Sequence, residues 1–192
     1  KAAHLPITLF SIAAREGKKV ALIEADVFGG DSPNWSDVPM RALLHAAQLY
    51  DEAKHGARFG LRSSTLSYNY PSLRAWKELA VKRTGAAGNQ RFYQSQGIDT
   101  YAGRAHFLTP HEVSVNRKHL TASHFIIATG ASWTAPDIPG IDKISYHTPR
   151  TILESIRPPK SIYLIGAGTT GVELAQLLAI FGTKVYLAEI AA

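Results

Sequence analysis

The sequence predicts an α/β protein: one three-layer, doubly wound domain followed by the opening half of a second. Two observations carry this. The stretch 161–190, SIYLIGAGTTGVELAQLLAIFGTKVYLAEI, reads as strand, glycine-rich turn, helix, strand and acid. Near the start, EGKKVALIEAD repeats the latter half of that unit, FGTKVYLAEIAA. Composition agrees, with 192 residues, 45% hydrophobic and 19% charged, the balance of a folded globular chain.

The elements follow in order. Phe10 to Glu16 reads as helix, Gly17 stops it, Lys18-Lys19 turns the chain, and Val20 to Ile23 is a strand ending in Glu24. The opening segment has a basic first residue and an apolar stretch. It lacks a small-residue cleavage site and runs straight into a strand, so it reads as helix and the protein as cytoplasmic. No apolar run reaches the roughly 18–20 residues of a membrane helix. Met40 to Lys54 is an amphipathic helix, Gly56 to Tyr70 a loop, and a second helix spans about 71–96 with Pro71 at its start. From Ile98 the pattern changes to alternation: Asp99 to Phe107, His111 to Val115, a turn at Asn116-Arg117-Lys118, and an apolar strand Phe125 to Ala128. Pro136, Pro139, Pro149, Pro158 and Pro159 mark a linker over 131–160. The domains are therefore expected at 1–149 and 150–192. In the last unit Ser161 to Ile165 is a strand, Val172 to Ala179 lies in a helix, Gly182 stops it, and Val185 to Ala188 is the second strand.

The absence of cysteine excludes disulfides, thiolate zinc sites, cysteine nucleophiles and dithiol relays. The net charge of +6 permits a phosphate-bearing ligand without locating one, because the basic residues are scattered.

The chemistry concentrates in the glycine turn. Gly166 makes a tight turn, Gly168 lets backbone amides approach a pyrophosphate, and Gly171 lets the helix pack on the strand. The helix beginning near Thr170 favours negative charge at its start. Glu189 closes the second strand where a carboxylate can bond a ribose 2′-hydroxyl. A 2′-phosphate would be repelled there, so NAD is favoured over NADP.

Further upstream, Phe28-Gly-Gly-Asp-Ser-Pro-Asn-Trp-Ser-Asp-Val-Pro-Met-Arg-Ala-Leu-Leu44 resembles the redox segment of class I pyridine nucleotide–disulfide oxidoreductases. These are the dihydrolipoamide dehydrogenase, mercuric reductase and glutathione reductase-like enzymes, whose segment looks like GG(T/D)CxNxGCxPSKALL after a strand ending in Glu. Gly103-Arg-Ala105 resembles the turn on the flavin's adenine side. Phe125-Ile-Ile-Ala128-Thr129-Gly130 with Pro139-Gly140 looks like the crossing into the NAD domain, and Glu173 falls at the acidic position beside the nicotinamide. The resemblance covers the whole chain in the family's order. It implies a Rossmann-like FAD/NAD(P)-binding fold, FAD and NAD as cofactors, and a homodimer. The implied reaction passes electrons from NAD(P)H through FAD to a disulfide-type acceptor. The implied cofactor contacts are Glu24, Gly29, Gly30, Asp31, Arg41, Gly103, Ala105, Ala128, Thr129, Gly130, Gly166, Gly168, Thr170, Gly171, Glu173 and Glu189.

The departures from the family's pattern matter equally. Its two redox cysteines fall on Ser32 and Asp37, its Lys on Arg41, and the glycine before its second Cys on Ser36. Its flavin pyrophosphate glycines fall on Lys1, Ala3 and Pro6. The first strand would lie before residue 1, and the chain stops before the interface domain, so it reads as an N-terminal fragment. Serine and aspartate cannot carry disulfide exchange, so no catalytic residue of that reaction is intact. The alternative is a non-enzymatic nucleotide-binding or structural module.

Other candidates are weaker. His106 with His111, or His119 with His124, are spaced so that both rings do not share a strand face, and no metal site is expected. Ser32, Asp37 and His45 lack a nucleophile elbow. Trp35 and Trp76 read as packing residues. Tyr68, Tyr70 and Tyr93 beside arginines could stack on single-stranded nucleic acid, yet no RNA-binding motif frames them. Neither a nucleic-acid nor a membrane partner is expected.

Overall fold

The computed structural model describes residues 4–62 and 65–189. It divides into two compact units, 1–34 with 81–134, and 35–80 with 135–192.

In the first unit, α1 (His4–Arg15) leads through Gly17 into β1 (Val20–Glu24), and α2 (Asp31–Trp35) begins after a turn at Gly29–Gly30. β1 pairs in parallel with β2 (Ile98–Ala102), from Val20 opposite Ile98 to Glu24 opposite Ala102. The acid of β1 and the end of β2 therefore share one sheet edge. Phe28, Ala86, Tyr93 and Ile98 form the core, with Phe10, Ala14, Val20, Leu22 and Phe92 packed around them. Beyond β2 comes an antiparallel meander of β3 (His106–Thr109), β4 (Glu112–Val115) and β5 (Lys118–Thr121). Its β4–β5 turn puts Asn116 and Arg117 at φ 46° and 63°, as a tight hairpin requires.

Three expectations are corrected here. The helix anticipated over 71–96 is two helices, α4 (Tyr70–Arg83) and α5 (Gln90–Gln94). Gly85 and Gly88 between them have φ of 69° and 60°, and Asn89 caps the second by accepting the Phe92 amide. The alternation over 99–107 is interrupted at Gly103, so it forms the end of β2 and the start of β3. Phe125–Ala128 joins no ladder among the described residues, and Ile126 and Ile127 are exposed. An extended apolar run becomes a strand only where a neighbour offers its backbone groups.

The second unit is built on α3 (Asp37–Lys54), α6 (Pro149–Leu153), and a β6–α7–β7 unit. That unit spans Ser161–Ile165, Thr169–Ile180 and Lys184–Ala188, its strands parallel and in register. This matches the strand–turn–helix–strand reading closely. Met40, Leu43 and Ala47 of α3 pack against Leu174, Leu177, Leu178 and Phe181, with Ile152 and Leu153 of α6 beside them. Tyr68 caps the far end of α7 by donating to the Phe181 carbonyl at 2.7 Å, and its ring packs on Tyr50 and Phe181. Lys77 of α4 is almost wholly buried. Its ammonium donates to the Leu153 carbonyl at 3.2 Å and to Glu154 at 2.7 Å, and pairs with Glu78 at 3.0 Å. These bonds satisfy a charge that burial would otherwise penalise. Trp35 carries the Arg150 guanidinium over its ring at 3.5 Å, and the indole N–H of Trp76 donates to the Ala42 carbonyl, so both serve packing.

Tyr93 has no exposed surface, which removes it as a nucleic-acid stacking platform. Burial pushes its phenol up to about 12, with the nearby Glu24 carboxylate adding to the effect. The folded chain thus holds that proton more tightly than the unfolded one. Its contribution to stability should be whole below pH 10 and fade as pH rises toward 12. Alkaline unfolding followed by circular dichroism should show this loss, and Tyr93→Phe should flatten it. Separately, Leu177→Ala should cost about 3 kcal/mol in urea unfolding, since it empties the contact between α7 and its neighbours.

Candidate functional site

The most fully formed site lies where β6 passes into α7. Gly166 turns the chain at φ 105°, and its amide donates to the Ala188 carbonyl at 2.8 Å, tying the turn to the end of β7. Gly171 sits where a Cβ would come within 1.9 Å of the Gly166 carbonyl oxygen. No side chain fits there, which is the close helix–strand approach expected of a third glycine. Gly168 differs from both. Of the fifteen glycines, only Gly56, Gly168 and Gly171 lack a positive φ. Gly56 is crowded by Leu61, whereas a Cβ on Gly168 would meet nothing within 4 Å among the described residues. Neither backbone conformation nor packing among the described residues requires glycine at 168. A body approaching the backbone from outside would.

Gly168 is also the N-cap of α7 and offers no side chain to the first-turn amides. Those donors, with the positive end of the helix dipole, favour an anion. Thr170 lies in that first turn, and Glu173 follows one turn in, where the chain is exposed on one side and buried on the other. Glu189 is exposed, and its carboxylate accepts the Ala167 amide at 2.6 Å. The acid after β7 is thereby held beside the glycine turn.

The earlier candidate contacts are arranged differently. Glu24 accepts the Asp26 amide on its carboxylate, and its carbonyl accepts the Gly103 amide at 2.8 Å, so the ends of β1 and β2 do meet. Around Gly103 (φ 143°), however, the space a Cβ would fill is taken by the Asn116 carboxamide, which donates to the Ala102 carbonyl. Gly29 (φ 95°) is likewise crowded, by Pro33, the Ala86 carbonyl and the Tyr93 hydroxyl. The Asn34 carboxamide stitches this turn by donating to the Phe28 and Gly30 carbonyls at 3.1 and 2.7 Å. These glycines are accounted for by the chain's own packing. Asn34, which holds the turn, is not among the residues the sequence points to, because its bonds do not follow from spacing. Tyr93, weighed there as a stacking residue, instead donates to the Ala86 carbonyl at 3.4 Å. Asp31 opens α2, and Ser32 is buried within it. Asp37 and Arg41 are exposed on the first turns of α3. His45 lies two further turns along, about 12 Å of helix rise from Asp37, too far for an acid–base pair. Ala105 precedes β3, and Ala128, Thr129 and Gly130 lie in the unladdered stretch before residue 135.

The family model for pyridine nucleotide-disulphide oxidoreductases matches residues 8–192. The chain belongs to this family. A mercuric reductase of Bacillus cereus is 34% identical over 171 residues, covering 89% of this chain and 27% of its own length. A dihydrolipoyl dehydrogenase of Acholeplasma laidlawii is 34% identical over 183 residues, covering 92% and 54%. Among solved structures, the Cu(II) complex of the HOCl-induced flavoprotein disulfide reductase RclA from Escherichia coli superimposes with a TM-score of 0.74. It is 26% identical and covers 96% of this chain and 39% of its own. The chain thus spans between about a quarter and a half of these relatives. Pyridine nucleotide-disulphide oxidoreductases are FAD-dependent flavoproteins, and the doubly wound α/β architecture is theirs. Among the described residues, no helix is long and apolar enough to cross a membrane.

If Gly171 is fixed by the Gly166 carbonyl, Gly171→Ala should lower the melting temperature and disorder the β6–α7 turn. Gly168→Ala should leave folding almost unchanged. Thermal melts of the two variants side by side check this.

Proposed function

We propose that the chain is the nucleotide-binding part of an NAD(P)H-dependent flavoprotein oxidoreductase, with an NAD(H) site at 166–189 and without dithiol exchange. The observation that carries this reading is the open backbone at Gly168 beside the carboxylate of Glu189. The amides at the start of α7, from Gly168 to Gly171, hold the pyrophosphate. Glu189 takes the ribose hydroxyls on its carboxylate and repels a 2′-phosphate. Glu173 stands toward the nicotinamide half. The nicotinamide, when bound, supplies hydride chemistry.

Among the residues that would face a flavin diphosphate, Pro6 weakens the fit without removing it. Lys1 and Ala3 lie outside the described residues. Pro6, in the first turn of α1, has no amide to donate. Glu24 and the Gly29–Gly30 turn remain suited to the ribose end alone. Ser32 and Asp37 hold the positions of the family's cysteines and have no sulfur to oxidise, so reduction of a disulfide acceptor ceases at this chain. The 1–149 and 150–192 division and a cytoplasmic setting belong to the same proposal.

The second reading, a nucleotide-binding module that is not an enzyme, is favoured by the complete absence of cysteine. Absorbance of the purified chain near the flavin bands, with mass spectrometry of any bound cofactor, separates the two. Calorimetric titration tests the NAD site: NAD should bind more tightly than NADP, and Gly168→Val should abolish binding. Tighter NADP binding would remove the role of Glu189. Equal NAD binding by Gly168→Val would remove the pyrophosphate assignment.

A further inference from the structure

The β3–β4–β5 meander brings together histidines that spacing along the chain keeps apart. Ser114 of β4 stands opposite His106 of β3 on one side and opposite His119 of β5 on the other. Residues directly opposite in an antiparallel ladder project from the same face. His106, Ser114 and His119 therefore form one row across the sheet, away from the buried Val113 and Val115. Glu112, two residues before Ser114, shares that face, and its carboxylate lies 2.8 Å from Nδ1 of His119. A carboxylate so placed holds the proton on Nδ1 and leaves the Nε2 lone pair available, the arrangement that orients imidazoles bound to metals. Both rings are accessible: His106 is exposed, and 60% of the His119 side chain faces solvent.

We propose that this row is a two-histidine site for a borderline divalent cation of the copper, nickel or zinc class. His106 and His119 are its ligands, and Glu112 is a positioning residue for His119. The outer strands of a three-stranded sheet run roughly 10 Å apart. Metal–nitrogen bonds of about 2.1 Å then require each ring to lean inward by about 3 Å, toward the middle strand. His119 already reaches toward that strand through Glu112. Among the described residues, no three His, Asp or Glu side chains converge on a metal position. The two imidazoles are thus the protein's whole contribution, and water would fill the remaining positions. Imidazole donors select these cations over magnesium and calcium, which prefer oxygen.

Copper(II) titration of the purified chain, read by electron paramagnetic resonance, tests the site. One copper should bind with two nitrogen donors, displaced by Ni2+ or Zn2+ and not by Mg2+. His106→Ala and His119→Ala should each weaken binding at least about tenfold and remove one nitrogen from the spectrum. Glu112→Ala should weaken it by about tenfold while both nitrogens remain. His111→Ala and His124→Ala should bind as the parent does. Far-UV circular dichroism verifies folding, which these exposed or half-exposed positions should preserve. Parent-like binding by both His106→Ala and His119→Ala overturns the proposal, as does equal loss in His111→Ala. Neither result depends on whether the chain binds a nucleotide.

Discussion

Helix α7 can lie on β6 because residue 171 has no side chain. The approach there is so close that any Cβ would collide with the Gly166 carbonyl. Given that contact, the rest of the second unit follows. Leu174, Leu177, Leu178 and Phe181 fall onto α3 and α6, while Ile162, Leu164 and Val185 fill the sheet side. The same helix starts at Gly168, which offers no side-chain cap to its first-turn amides. One steric constraint thus bears on both a core and the start of α7.

Individual glycines serve contrasting ends. In the first unit, the space beside Gly29 and Gly103 is filled by Tyr93, Pro33 and Asn116, so these glycines serve close packing. In the second, Gly171 is packed as closely, whereas the space beside Gly168 is open among the described residues. At the two positions where the resemblance places the family's cysteines, Ser32 is buried and Asp37 is exposed. A scaffold can persist through such changes, because packing around a turn depends on shape and hydrogen bonding. Redox chemistry depends on one element.

What was legible in sequence was local. The β6–α7–β7 unit declares itself because its turn, helix face and closing acid all lie within one stretch, and the ladder from Ser161 to Ala188 follows. The division between α4 and α5 was obscured because apolar residues continue across Gly85 and Gly88 and mimic one helical period. Phe125–Ala128 has the composition of a strand, but pairing is decided by distant residues. The row through His106, Ser114 and His119 was invisible for the same reason, since it exists only in the register of three strands. Lys77 shows the converse: its sequence neighbours suggest a solvated helix face, and only Leu153 and Glu154, far along the chain, reveal it as buried.

The sheet of the second unit has an outer face opposite α7. Tyr163 and Tyr186 stack there at 6.1 Å, with Ile165 alongside, and all three are substantially exposed. Parallel sheets are ordinarily covered on both faces. A surface that exists only when the strands are formed is recognised only in the folded state, so a partner that covered it would draw the folding equilibrium forward by mass action. The melting point of this unit would then be a property of its company and its concentration as much as of its own contacts.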